Sequence, residues 1–283
     1  MTESVAPARR ARPLPMPASV REAVRLSPSL VRVVLEAADW STFREPVHAD
    51  SYVKLVFLSP GVDYPRPLNP GQIREQFPSQ HWPRLRTYTV RAFDRQAGTL
   101  TIDLVVHGDE GLAGPWAAAA KPGDEVFVSG PGGGYSPDPS ADWHLLAGDE
   151  SALPAIANAL VALPDTAIGA AFVEVADGAH EIPLSAPEGV DVHWLHVGHE
   201  APGHALVPAV RAWPAPPGDG HVFVHGEAGF VKDLRQHLRT ERGLPLDRLS
   251  ISGYWRLGAD DERWREMKRD WNRAIDEAES TTG

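Results

Sequence analysis

Apolar and polar positions alternate in short stretches through the first half of the chain. Residues 30–37 (LVRVVLEA), 51–58 (SYVKLVFL), 85–91 (LRTYTVR), 99–107 (TLTIDLVVH) and 125–129 (EVFVS) each read as a strand. Turns rich in Gly, Pro and Asp separate them, as in Lys121-Pro122-Gly123-Asp124. Short strands broken in this way predict an antiparallel barrel. One short helix is expected around 115–120. The proline-rich stretch 61–82 is expected to be a long surface loop.

The rhythm changes after a Gly/Pro/Ser-rich hinge at 130–140. Strands are expected at 143–147, 168–175, 192–197, 221–225 and 249–252, with helices at 152–163, 205–213 and 228–242 between them. Such alternation predicts a parallel sheet wound by helices. In 260–279, Trp264, Met267, Trp271 and Ile275 recur three or four apart. They form one apolar stripe of an amphipathic helix, expected to pack on the domain surface. Residues 1–20 carry Arg9, Arg10 and Arg12 among Ala and Pro and read as a frayed arm. The pattern thus predicts a β-barrel domain, then an open α/β domain and a C-terminal helix.

Composition narrows the chemistry. With 283 residues the chain is long enough for two cores. It has no cysteine, so disulfides, thiolate metal sites, a Cys nucleophile and all-Cys iron–sulfur clusters are excluded. A formal charge of −11 argues against general affinity for nucleic acid or anionic lipid. No apolar run has membrane-spanning length, and the N-terminus lacks the apolar segment of a secretory signal. The expectation is a cytoplasmic protein, without nucleic acid or membrane insertion, acting as a monomer.

Three segments carry candidate chemistry. Arg86-Thr87-Tyr88-Thr89-Val90-Arg91 on a strand sends Arg86, Tyr88 and Val90 to one face and Thr87, Thr89 and Arg91 to the other. An arginine fork suits phosphate, and an aromatic two residues on suits a planar ring. The same residues also make an ordinary half-buried strand. The segment 107–117, HGDEGLAGPWA, brings glycines to a helix start, where free N–H groups attract anions. It reads equally as a turn with a proline-started helix. The segment 147–155, AGDESALPA, ends the first parallel strand and opens a helix, where open α/β sheets bind ligands. It is not a GxGxxG fingerprint. His193, His196, His199 and His204 match no metal-ligand spacing and are read as structural.

In this order, RTYTVR (86–91), HGDEGLAGPW (107–116), GDESALPAI (148–156), HGE (225–227) and GYWRLG (253–258) resemble the siderophore-interacting proteins. These are FAD-dependent ferric-siderophore reductases of the broad ferredoxin–NADP reductase group. The resemblance runs from about Val33 to Gly258. It implies an FAD-binding barrel at 21–139, a nicotinamide-binding-like domain at 140–258 and a helical extension at 259–283, after the arm at 1–20. It further implies that Arg86 holds the FAD phosphates, Tyr88 stacks on the isoalloxazine and Thr89 bonds near N5, with Thr87 alongside. His107, Gly108 and Gly111 would line the dinucleotide, and Ala113, Gly114 and Trp116 would meet its pyrophosphate. Asp149, Glu150 and Ala152 would border the nicotinamide side or the flavin. Tyr254, Trp255 and Arg256 would approach the flavin from the second domain. Two departures stand out: Gly114 where the family often has Ser, and His225 where a small residue commonly precedes Gly-Glu.

The second parallel strand ends Phe172-Val173-Glu174-Val175, and no Lys or Arg follows before Arg211. A carboxylate there suits a ribose 2′-hydroxyl, which favours NADH, or a ferredoxin, over NADPH; the other reading is that Glu174 only caps a loop. Ferric siderophores are often anionic, so Lys54, Arg91 and Arg256 are the candidate substrate cations, though each reads equally as an ordinary ion-pair partner. The expected activity is transfer of electrons from NADH or a ferredoxin through FAD to chelated Fe(III), with no protein metal site. Other readings are a flavin reductase or ferredoxin–NAD(P) reductase for another acceptor, and a siderophore-binding module without turnover.

Overall fold

The computed structural model describes residues 14–107 and 111–282. Six strands close an antiparallel barrel: β1 (Met16–Ser27), β2 (Leu30–Glu36), β3 (Tyr52–Phe57), β4 (Arg84–Asp94), β5 (Thr99–Val105) and β6 (Glu125–Gly132), ordered β1-β2-β5-β4-β3-β6. Closure leaves no free edge. Alternate residues such as Val31, Val33 and Leu35 fill the interior with Val53, Leu55, Ile102 and Leu104. Outside, Arg32 pairs bidentately with Asp103, its cross-strand neighbour, at 2.7 Å through both nitrogens. The strand β1 takes in residues 16–20, which the sequence pattern assigns to the arm. Residues 1–13, with the three arm arginines, lie outside the described residues.

Two helices belong to the barrel domain. The stretch expected to be a loop contains α1 (Pro70–Gln76), capped by the Asn69 side chain. It has its own small core of Tyr64, Leu68 and Ile73 against Val56 and Phe127. Four prolines in 61–82 masked a cap-plus-proline helix start. The second helix, α2 (Ala113–Ala119), inserts Ala113 and Ala117 into the barrel core.

The second domain is a five-stranded parallel sheet ordered β11-β10-β7-β8-β9. Its strands are β7 (Trp143–Asp149), β8 (Gly169–Val175), β9 (Val190–His196), β10 (Gly220–Glu227) and β11 (Leu249–Trp255). All seven residues of β7 are buried, as a central parallel strand covered on both faces requires. Helix α3 (Leu153–Ala162) covers one face, against Leu146 and Phe223. Helices α4 (Leu206–Ala212) and α5 (Ala228–Gln236) cover the other, against Leu145, Val222 and Val224. The order reverses between β7 and β10, where a doubly wound sheet opens its crevice. Helix α5 stops short of the expected Arg242 and continues as a π-helical turn over His237–Glu241.

The last element, α6 (Asp261–Thr282), lies along the edge strand β11. Trp264 and Ile275 are buried and Trp271 packs on Trp264 at 5.5 Å, but Met267 is 43% exposed. The inward position of that turn belongs to Lys268, whose ammonium donates to the Ser252 hydroxyl at 3.0 Å. An aliphatic stem ending in a satisfied charge serves there as well as methionine. The stripe is therefore Trp264, Lys268, Trp271 and Ile275.

Candidate functional site between the two domains

The register of β4 decides what its motif presents. Arg86 and Tyr88 stand opposite Leu55 and Val53 of β3, while Thr87 and Thr89 stand opposite Lys54 and Tyr52. The two sets therefore face opposite sides, as the alternation predicts. After Val90 the pairing with β5 slips by one residue. That bulge re-aims Arg91. Its guanidinium reaches Asn158 of α3 at 2.5 Å, and Asn158 donates to the carbonyls of Ala49 and Val90 at 3.0 and 2.8 Å. Arg91 thus fastens the two domains together through one guanidinium nitrogen, with its Nε 3.9 Å from Asp103.

The barrel strand meets the end of the second domain at Thr89. The Tyr254 phenol contacts the Thr89 hydroxyl, and burial pushes the ionisation of both Tyr254 and Tyr88 well above the usual phenol range. Both rings stay neutral at any working pH; Tyr88 packs partly on the barrel core, and Tyr254 lies edge-on to His225 at 4.8 Å. Next to them, the Arg86 guanidinium is held by Glu262 and Asp261 at the start of α6. Its Nε–H and one Nη2–H have no partner among the described residues. A phosphate fits that pair of parallel donors, and a planar ring can stack on an aromatic side chain such as Tyr88, so the residues present suit a flavin dinucleotide.

The GDE and HGE segments form a knot at the carboxyl ends of the sheet. Asp149 is buried. One of its oxygens accepts from the backbone N and hydroxyl of Ser151 at 2.9 and 2.5 Å. The other accepts from the Glu227 backbone at 2.9 Å and the Trp255 indole at 2.8 Å. Glu227 in turn caps α5 through Gly229 and Phe230 and accepts from the Leu257 backbone at 3.1 Å. Gly226 has φ of +141°, and a Cβ there would lie 2.7 Å from the Asp149 carboxylate. Only glycine lets β10 pass so close to the knot. Asp149 and Trp255 thus shape the site without offering free polar atoms to a ligand.

The remaining expected residues divide. Glu150 reaches across to the Ser29 hydroxyl of the barrel. Ala152 is buried, and a Cβ on Gly148 would lie 2.6 Å from its own, so it packs the β7–α3 turn and faces no ligand. Ala113 is in the barrel core, Trp116 packs edge-on against Phe57 at 5.6 Å, and Gly114 opens α2 between them. His107 is exposed and Gly111 takes a positive φ of +86°, while Gly108 lies outside the described residues. Lys54 stands on β3 opposite Thr87. Arg256 lines a cleft of about 550 Å³ with His204, Phe230, Asp233 and Leu257, between α4 and α5.

Of its two readings, Glu174 takes the capping one. Its carboxylate is 3% exposed and accepts from the backbone N–H groups of Gly203, Ala205 and Leu206 at 2.6, 3.0 and 2.8 Å. It caps the start of α4 and has nothing left for a ribose. Glu174→Ala is expected to lower stability by about 2 kcal/mol or more through those orphaned donors, read as a lower urea midpoint at unchanged slope. Among the histidines, His193 stacks on Phe172 at 4.7 Å and His196 pairs with Glu181 at 2.7 Å. Residues that sequence reasoning missed are Asp261, Glu262, Lys268 and Asn158; their roles are long-range contacts with no local signature.

No helix among the described residues is long and apolar enough to cross a membrane. Two family models match: the siderophore-interacting FAD-binding domain over residues 19–135 and the siderophore-interacting protein over 141–258. An uncharacterized protein of Mycobacterium tuberculosis is 48% identical over 91% of this chain and 94% of its own. The ferric vibriobactin reductase ViuB of Vibrio cholerae is 35% identical over 86% and 90%. The crystal structure of a siderophore utilization protein from T. fusca superposes with a TM-score of 0.75 at 38% identity, covering 89% of this chain and 98% of that one. Joined to the barrel, the parallel sheet and the ordered motifs, these matches show that the chain belongs to the siderophore-interacting protein family, with an FAD-binding barrel as its first domain.

Proposed function

We propose that the protein is a flavin-dependent reductase of ferric-siderophore complexes, with FAD lying along β4 and facing β11. The observation that carries this is the pair of unspent donors on Arg86, beside Tyr88 on one face of β4, with Thr89 of the same strand touching Tyr254 of the second domain. Arg86 would hold a phosphate, Tyr88 would stack on the ring system and Thr89 would bond its polar edge. The Asp149 knot fixes the Trp255 side chain and the loop that follows it. Lys54, beside the motif strand, is the substrate cation we retain.

FAD held by these residues would supply the redox chemistry: a hydride taken from NADH, leaving NAD+, carries the two electrons needed to reduce two chelated Fe(III) to Fe(II), one each. Fe(II) binds hard-oxygen chelators less tightly and leaves. With Glu174 consumed as a cap, the preference for NADH rests on the absence of Lys and Arg from 176 to 210. The cleft beside Arg256, at the carboxyl ends of the strands, is our site for the donor.

The reading is tested on purified protein. A yellow preparation with a flavin spectrum, reduced anaerobically and turning over a ferric chelate with ferrozine capture of Fe(II), supports it. Tyr88→Ala is expected to lose most bound FAD. Parallel reduction by NADH, NADPH and a reduced ferredoxin identifies the donor, with NADPH expected to be slower than NADH. Colourless protein that binds the chelate without FAD supports a binding module instead, and reduction without chelate turnover supports a flavin reductase for another acceptor.

A further inference from the structure

The head of α6 holds the arginine that the proposed site needs. Arg86 Nη1 donates to Glu262 Oε1 at 2.5 Å and to the Leu85 carbonyl at 2.9 Å, with Asp261 Oδ2 at 3.3 Å. Its Nη2 donates to Glu262 Oε2 at 2.9 Å. Glu262 therefore takes the fork end-on, with both oxygens. Arg265, one turn along α6, donates to the same Leu85 carbonyl at 2.9 Å and pairs with Asp261. Two guanidinium groups, two carboxylates and one backbone carbonyl thus tie the start of α6 to β4. The Arg86 side chain is only 14% exposed.

A guanidinium has five N–H groups on three edges. Here one edge is spent on Glu262 and a further proton on Leu85, which leaves the Nε–Nη2 edge with two parallel donors. An arginine free in solution would sample many rotamers, and fixing it costs part of its binding energy. Glu262 removes that cost beforehand. The residues that do this lie beyond position 258, outside both matched stretches.

We propose that Glu262 is a positioning residue for cofactor binding: it fixes the Arg86 guanidinium so that its remaining edge is presented to an FAD phosphate. The inference rests on the reading that Arg86 binds that phosphate. It makes α6 part of the FAD site through Arg86, although α6 is joined to the other domain. By linkage, FAD must stabilise the first turn of α6 by as much as that turn strengthens FAD binding.

The test is FAD affinity of the full-length apoprotein, titrated by quenching of flavin fluorescence, in Glu262→Ala, Glu262→Gln and Arg86→Met and in the double variant E262A/R86M. Glu262→Ala is expected to weaken FAD binding about tenfold through lost preorganisation. Glu262→Gln, which keeps one acceptor, should recover part of that. In the Arg86→Met background Glu262→Ala should have no further effect, the signature of coupling that a general structural role would not show. Hydrogen exchange of the 261–265 amides should slow on adding FAD in the wild type but not in Arg86→Met. FAD binding in Glu262→Ala that is equal to or tighter than wild type overturns the proposal, because the carboxylate is then a bystander or a competitor. If Arg86→Met weakens binding and Glu262→Ala does not, positioning alone fails. If Arg86→Met has no effect, the phosphate reading fails and takes the proposal with it.

Discussion

Asp149→Ala is expected to destabilise the protein by about 3 kcal/mol or more, since buried groups bonded to a charged acceptor would lose it. The Glu227 N–H, the Ser151 N–H and the Trp255 indole would each be left without their acceptor. Water cannot easily replace it, because the carboxylate is 8% exposed. Burial works against the charge and raises the Asp149 ionisation above the usual carboxylate range despite these bonds. The bonds make the site tolerable and bind three strand ends to one another. Chemical denaturation with coincident fluorescence and circular dichroism transitions measures the loss. A variant within about 0.5 kcal/mol of wild type would show that the knot is not a stability element. Flavin content should fall with it, because Tyr254 and Trp255 sit on the strand the knot secures.

Acid should weaken the fold well above the carboxylate range. The His225 imidazole stacks on Phe223 at 3.9 Å and its Nδ1 is buried without a partner. Burial, aided by the Lys268 charge, holds its ionisation down to about 3. Burial, then His221, holds His144 down to about 4. In the unfolded chain both take up a proton near pH 6.5. Stability is therefore complete above 6.5 and is lost as pH falls from there toward 4 and then 3. At pH 5.5 the two together cost roughly 2–3 kcal/mol by linkage, because the unfolded state alone is protonated. Urea melts at pH 7.5 and 5.5 measure this. His225→Phe keeps an aromatic ring on Phe223 and should remove about half of the difference. An unchanged acid slope in that variant would assign the effect to other groups.

The barrel and the wound sheet were legible because both rest on local periodicity. Val31, Val33 and Leu35 alternate, and strands regularly trade with helices after residue 140. The motif strand was legible for the same reason: a pleat alone puts Arg86 and Tyr88 on one face. What was not legible was whatever depended on partners distant in sequence. The sequence leaves Arg91 open between substrate cation and structural partner, and the bulge turns it onto Asn158, 67 residues away. Glu174 stands between ribose reader and cap until the loop before α4 wraps three N–H groups around it. Met267 looked like part of the helix stripe because residue type says nothing of how α6 rotates against β11.

The sequence by itself determined two kinds of domain, their order and the absence of any thiol chemistry. These follow from composition and from repeat lengths of two and 3.6 residues, which act over a few neighbours. Only the tertiary structure decided which charges are spent and which remain available. Asp149, Glu174 and Glu227 are taken up by backbone and side-chain donors brought in from elsewhere, Arg91 is tied to Asn158 through one nitrogen, and Arg86 keeps one open edge among the described residues. Whether a polar group is a ligand or a fastener depends on its last unfilled hydrogen bond, and that is set only when distant segments pack.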